Sequence, residues 1–519
     1  LKKNVTVDVH SSVGINTQFW KAAGSDDLFW LTLEEAGQSM LERMKRTESC
    51  TYLRNHYTFS SRINNGKQLG CEVYTEDENG NPCYDFSKIN QIYKEFVKYG
   101  LKPIVEYDYL PDLLSKKADR YAAKREEGMS ASDMGPNDWE KWTNLIKAFT
   151  QNLVDTFGLS EIRSWYFEVW NEPDGWPKED LQTFFRMYDI FVDAVTSVDD
   201  QLRVGGPASC NTYFLRDFLH HVTYGQNHVT GGTGTRIDFV SHHIYGLSGG
   251  WVSEHPLVRP TVQKFIQEVL WIQRLIDKHP GLEHVEFHLN EWGVCSNFYR
   301  TADQYPALEY RNNLFSALFF AKLVHLLYAV EDAFHFPTSM LLYWGFSYET
   351  STGEFFRGNR DLLTAGGVPK PIQTAHEMLA KLGEQRLSVE GLKPGGSVGV
   401  MATRSSEQRF ELFIYHFNEL DDEPEGEEEV DIVLANLKKT GTSLKVNVYY
   451  LDAMHHNTYE SWKNHGAPRN VDTADVQALL KAGELRINET LMIKPEQSGK
   501  AHLSFKMPKH SMRLYVVEG

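Results

Sequence analysis

Between residues 11 and 386 short apolar runs alternate with stretches of helical periodicity. The runs are SSVGIN (11–16), TYLRN (51–55), KPIVEYDYLP (102–111), WYFEVWNEP (165–173), LRVGGP (202–207), IDFVSHHIYG (237–246), HVEFHLNEWG (284–293) and MLLYWGFSY (340–348). Most are rich in β-branched or aromatic residues, the mark of a buried strand. The helical patterns fall at 33–47, 86–99, 139–157, 180–198, 214–221, 262–279, 308–330 and 372–383. Strict alternation predicts a parallel sheet, and eight repeats predict an α/β fold of the (β/α)8 TIM-barrel type. No G-x-G-x-x-G or Walker loop follows any run, which disfavours a doubly wound nucleotide-binding sheet.

From Leu387 the pattern changes to short alternating segments such as SVGVMATR, FELFIYHFN, KVNVYYLD and SMRLYVVEG. These predict a C-terminal antiparallel β-sandwich. Residues 1–10 (LKKNVTVDVH) alternate in the same way, so we expect a barrel over 11–386 and a sandwich over 387–519 with 1–10 added. The acidic run from Asp421 to Glu429 reads as a solvated loop tip.

In such barrels the chemistry sits at the C-terminal ends of the strands. The polar residues collected there are Arg54, His56, Glu106, Asp108, Asn171, Glu172, His242, His243, Tyr245, Asn290, Glu291, Tyr343 and Trp344. Two of the runs end in Asn-Glu. Glu172 precedes a proline that stops the strand ladder, and Glu291 precedes Trp292. Glycoside hydrolysis needs one carboxylic acid to protonate the departing oxygen and a second carboxylate to attack or to activate water. Trp170, Trp176 and Trp292 would partly desolvate these glutamates, raise a general acid's pKa and offer faces to sugar rings. His242 and His243 are adjacent on a strand and point to opposite faces, so at most one of them reaches the cleft. Glu106 reads equally well as an ion-pair partner of Arg54.

The composition narrows the partners. A net charge of −17 over 519 residues argues against nucleic acid or an anionic membrane, and no apolar run approaches the ~20 residues of a membrane span. Aromatics at 13 % suit a carbohydrate surface and a large core alike. The five cysteines form no C-x-x-C pair; Cys71 and Cys83 are placed to bridge one loop. No ligand spacing supports a zinc site on His56, His243 and a carboxylate, so neither metal nor cofactor is expected. The chain opens at Leu1 rather than methionine, which suggests a removed upstream segment. A periplasmic or secreted location follows if that segment was a signal, a cytoplasmic one otherwise. Homo-oligomerisation stays open.

FEVWNEP, RVGGPA, IDFVSHHIY, FHLNEW and LLYWGFSY, in this order, resemble glycoside hydrolase family 39, which holds β-xylosidases and α-L-iduronidase. The resemblance runs from about Tyr52 to Leu382. It implies a retaining mechanism with Glu172 as acid/base and Glu291 as nucleophile. It also implies that Asn171 holds the hydroxyl beside the anomeric carbon and that Tyr245 bonds the nucleophile. By the same resemblance His56, Glu106, His243, His288 and Trp344 line the subsite of the non-reducing sugar, and a C-terminal sandwich follows the barrel. Asp174, Trp176, His242 (arginine in the xylosidases) and the loop YETSTGEFFRGNR depart from the xylosidase pattern. A β-D-xyloside is the expected substrate. A galactoside, glucoside or arabinoside is an alternative, as is an iduronide, given Arg54, Arg357 and Arg360. A carbohydrate-binding barrel without catalysis is the competing class.

Overall fold

The computed structural model describes residues 2–26, 28–60, 63–64, 67–68, 70–116, 135–176, 180–247, 259–296, 301–346, 353–420, 426–437, 443–470 and 472–519. Eight parallel strands close into a barrel: β1 (Ala22–Ser25), β2 (Tyr52–Asn55), β3 (Lys102–Tyr107), β4 (Tyr166–Val169), β5 (Arg203–Ser209), β6 (Phe239–Tyr245), β7 (Glu286–Gly293) and β8 (Met340–Phe346). Each pairs with its neighbour in sequence, and β8 returns to β1. Seven of the eight strands lie on apolar runs read from the sequence.

The first does not. Residues 11–16, expected as the opening barrel strand, belong instead to a long strand Lys2–Ile15 of the other sheet, and Ala22–Ser25 takes the barrel position. The sequence AAGS carries no large apolar residue because its neighbour occupies the space. A Cβ on Gly24 would lie 1.9 Å from the Trp344 ring. A small-residue strand gives no hydrophobic signal, so the pattern passed over it.

The helices follow their periodicity closely: Trp139–Phe157, Leu181–Val198 and Val262–Ile276 bury apolar stripes against the barrel. Asp138 begins the first of these by accepting the Lys141 N–H at 3.0 Å. Leu314–Phe334, 21 residues long, is long and apolar enough to cross a membrane by length and composition. That departs from the expectation that no run approaches a span. Most of its surface is buried because it is covered on both sides: Phe320 stacks on His376 at 4.0 Å, and Phe315 meets Phe417 of the second sheet at 5.2 Å.

The second sheet has nine strands in the order Glu489–Ile493, Leu444–Leu451, Ser511–Glu518, Arg409–His416, Val398–Ser406, Gln385–Glu390, Lys2–Ile15, Glu427–Ala435, Ala501–Pro508. All pairs are antiparallel except Lys2–Ile15 with Glu427–Ala435. Part of the acidic run is therefore strand and not loop tip. Glu428 and Glu429 sit across from Lys3 and Lys2 at 3.7 and 3.8 Å; residues 421–425 lie outside the described residues. Two helices absent from the sequence reading, Thr458–Asn464 and Thr473–Ala482, leave this sheet and pack on the barrel segment at Phe356, with Tyr459 and Trp462 rings 5.3 and 5.0 Å away. All five cysteines are free thiols, with Cys71 buried and Cys83 exposed, so the loop bridge does not form.

Candidate active site

The site is built around Arg54, fully buried on β2. Its guanidinium pairs with Glu106, with Glu168 Oε1 at 2.5 Å and with Glu291 Oε1 at 2.9 Å, and donates to Asn171 Oδ1 at 3.0 Å. Strand register explains the convergence. Glu106 on β3 and Glu168 on β4 are direct partners and point into the lumen together. Two adjacent buried carboxylates are tolerable only with a cation between them, and Arg54 supplies it.

Glu291 is held on every side. Tyr245 donates its hydroxyl to Oε2 at 2.8 Å, with His243 Nδ1 at 3.6 Å from the same oxygen. His56 Nε2 lies 3.6 Å from Oε1. Burial pushes the Glu291 carboxyl up, but His243, the His56 hydrogen bond and Arg54 outweigh it and hold the group well below the usual carboxylate range. It is an ionised carboxylate at the base of the cleft.

Glu172 faces it. His243 Nδ1 donates to Glu172 Oε1 at 2.9 Å, and one donor atom each from Glu172, His243 and Glu291 fall within 4.8 Å of one another. Glu172 has a left-handed backbone, φ 49°, and so does Trp170, φ 67°. Non-glycine residues rarely adopt this conformation, and it turns the chain sharply as β4 ends. The Glu172 N–H anchors the turn on Ala208 O at 2.9 Å.

The other residues singled out from the sequence divide into two groups. His56 donates through Nδ1 to Glu106 Oε2 at 2.6 Å and lies 4.4 Å from the Trp344 ring; Asn171 is tied to Arg54. These join the cluster. Burial opposes charge on His56, yet Glu106 beside it lifts its pKa well above the ordinary imidazole value. Burial pushes nearby Asp108 up to about 6.

His288 does not join the cluster. Its Nε2 donates to Glu286 Oε2 at 2.9 Å, and its ring stacks on Phe239 at 4.6 Å, nearer the N-terminal ends of β6 and β7 than the carboxylates. His242 turns outward, toward Ser209 (3.2 Å) and Glu268 (3.4 Å), which leaves the cleft to His243. Trp292 also faces outward, stacked on Phe320 at 5.5 Å, while Trp170 and Trp176 pack on each other at 5.1 Å, all three buried. They support the strand ends and offer no sugar face. Asp174 accepts from the Cys210 N–H and thiol at 3.2 and 2.9 Å.

The sequence reading did not single out Glu168 or Asp26, and it named a third residue that the fold brings in, Arg360, only as a cation for a uronate. Glu168 is an acidic residue inside an apolar strand, a signal that was available. Asp26, 3.8 Å from His56, and the carboxylate-side neighbour Arg360, which donates to the Tyr245 hydroxyl at 3.0 Å, come from segments without periodicity.

Two triplets here, His56–Glu106–Asp108 and Glu172–His243–Glu291, have donor atoms close enough to hold a cation. Arg54 already supplies the positive charge to Glu106 and Glu291, so a cation there would meet its repulsion.

A parallel barrel whose strand ends converge on paired glutamates defines a glycoside hydrolase. Residues 3–494 match the family described as Glycosyl hydrolases family 39, and the chain belongs to that family. It is 23 % identical over 493 residues to a β-xylosidase of Caldicellulosiruptor saccharolyticus, covering 93 % of this chain and 92 % of the relative. It is 23 % identical over 362 residues to the α-L-iduronidase of Mus musculus, covering 63 % of this chain and 54 % of that one. The crystal structure of a monomeric β-xylosidase from Caulobacter crescentus shares the fold, with a TM-score of 0.79, 22 % identity and 99 % of each chain covered.

Proposed function

We propose that the protein hydrolyses β-D-xylosides from the non-reducing end with retention of configuration. The observation that carries this reading is the approach of Glu172 to Glu291, donor atoms within 4.8 Å. Oxygens this close favour the ~5–5.5 Å separation of a double displacement over the ~6.5–9.5 Å of an inverting pair. Glu291, ionised and fixed by Arg54 and Tyr245, attacks the anomeric carbon. Glu172 gives its proton to the leaving oxygen as the glycosidic bond breaks, and a glycosyl ester forms on Glu291. Glu172 then takes a proton from water, which attacks the same carbon and frees Glu291. His243, bonded to Glu172 and close to Glu291, orients the pair.

The surrounding charge supports a neutral sugar over a uronate. Asp26, Glu106 and Asp108 line the same side as the two glutamates, and Arg54 is committed to three carboxylates and Arg360 to Tyr245. A sugar carboxylate would enter a field already negative. The β-xylosidase relative from Caldicellulosiruptor saccharolyticus supports xylose among the neutral sugars. A panel of aryl β-xyloside, glucoside, galactoside, arabinoside and α-iduronide substrates, with NMR of the first-formed anomer, tests both parts. Fastest turnover of the xyloside with β-xylose released first is expected. Release of the opposite anomer overturns retention, and preference for the iduronide overturns the neutral sugar.

A further inference from the structure

Far from the carboxylate cleft, the outer helices hold a second cluster. Asp189 on the helix Leu181–Val198 and His221 on the helix Thr212–Tyr224 are both buried, and His228 lies on the loop that follows, its side chain 31 % exposed. His221 Nε2 donates to Asp189 Oδ1 at 2.9 Å and His228 Nδ1 to Oδ2 at 2.7 Å. The three donor atoms lie within 4.8 Å of one another. A cleft of about 420 Å³ opens beside them, lined in part by His220, His221, His228 and Asp217.

The geometry points to a divalent transition-metal site, zinc by its donor set, made of Asp189, His221 and His228 with water from the cleft as fourth ligand. Two imidazoles, one carboxylate and one water form a tetrahedral set that zinc accepts. Zinc bonds of ~2.0–2.1 Å place donors about 3.3 Å apart, so each ring moves outward by roughly half an ångström. No bond to carbon changes. The near nitrogen of each imidazole now donates to Asp189. On binding, that proton leaves for solvent, the near nitrogen takes the metal, and the neutral ring carries its one proton on the far nitrogen instead.

Three features distinguish this cluster from the triplets of the catalytic cleft. The Asp189 carboxylate is bonded by two imidazoles, the Thr235 hydroxyl at 2.5 Å and the His228 N–H at 2.8 Å, with no guanidinium among these partners. An outer shell is already in place, since Thr235 orients Asp189 and Asn227 donates to Thr235 at 2.9 Å. The cleft is also lined by His221 and His228 themselves, which gives an ion and its water a way in from solvent. At this position, near the end of the helix Thr212–Tyr224 that precedes β6, the metal would staple the loop 225–235 to two helices.

The test uses the full chain, stripped with chelator and titrated with zinc by calorimetry, and with cobalt(II) by visible absorption. Expected are one zinc per chain, a tetrahedral cobalt spectrum and a higher thermal midpoint with metal. His228→Ala, at a partly exposed position that tolerates truncation, should weaken zinc binding by more than about 100-fold. Thr235→Val should weaken it by roughly 10–100-fold, as loss of an outer partner does. Failure of the wild-type chain to take up zinc overturns the proposal. So does uptake unchanged in His228→Ala, which would place the ion on other ligands. Both readouts are independent of hydrolysis.

Discussion

The Tyr245 hydroxyl is a relay between Arg360 and Glu291: it receives from Arg360 Nη1 at 3.0 Å and donates to Glu291 Oε2 at 2.8 Å. The guanidinium thereby fixes the phenol, and the phenol fixes the orientation of the carboxylate that attacks. Tyr245→Phe removes a hydrogen bond to a charged group, worth ~1.5–3 kcal/mol. Its kcat/KM should fall by roughly 10–150-fold with the thermal midpoint little changed. An unaltered kcat/KM in steady-state assays would deny the tyrosine any part in the reaction.

The two glutamates should separate by leaving group. Glu291→Ala is expected to abolish turnover of every glycoside. Glu172→Ala should lose roughly 10²–10⁴-fold on a poor leaving group and far less on an activated aryl glycoside, with azide restoring rate and giving a glycosyl azide. Equal losses on both substrates would count against the acid role of Glu172.

Arg54 makes a stability prediction distinct from catalysis. With Arg54→Met, Glu106, Glu168 and Glu291 are left buried without their shared cation. Breaking such a pair costs about 3–5 kcal/mol, and lysine cannot reproduce the fork, so Arg54→Lys should also destabilise. Adding Glu168→Gln to Arg54→Met should recover part of the loss, read as a positive coupling in denaturant melts.

Acid should loosen the barrel helices before it neutralises Glu291. Burial pushes His376, stacked on Phe320, and His325, bonded to Tyr415, down from 6.5 to about 4. A depressed folded pKa means that the neutral ring's stability is complete above 6.5 and is lost as pH falls toward 4. Each histidine contributes ~3 kcal/mol over that window. His376→Phe should flatten the stability–pH profile between 6.5 and 4, measured by denaturant unfolding. Glu291 follows the same rule at lower pH, so its protonation does not set an acid limb of activity in this window.

The segment of Arg360 leans on the helix Thr458–Asn464. It is packed through Phe356 against Tyr459 and Trp462. Trp462→Ala should therefore lower kcat/KM by about tenfold or more by loosening the relay behind Tyr245, although the side chain lies outside the cleft. Activity equal to wild type, with the variant folded, would show that Arg360 holds its place without that support.

How much of this was legible depends on what each residue reports locally. Glu172 and Glu291 stood out because apolar strands end in them. Alternation fixes which face a side chain takes but not its height in the barrel. His288 thus shares the lumen face with Asn290 yet sits one layer lower, beside Glu286. A bulge at Asn290 then resets the alternation, so that Glu291 faces the cleft and Trp292 the outer face, which period-two reading cannot show. Asp26 left no trace, and Arg360 showed only as a loop cation suited to a uronate, because tertiary packing alone brings their segments to the cleft. The strand AAGS was silent for the opposite reason, its side chains being small to admit Trp344.

The strand Lys2–Ile15 has its partners at Gln385–Glu390 and Glu427–Ala435. In a growing chain it therefore emerges before the barrel and has no partner until Gln385–Glu390 has been made. At ~5–20 residues per second it stays an unpaired edge for tens of seconds while the whole barrel is made. The barrel is in effect an insertion between the strand Lys2–Ile15 and the later strands of one sheet. Moving Lys2–Ile15 to follow Gly519 by circular permutation would supply every strand of the sheet after the barrel, and should shorten the lag between synthesis and native structure.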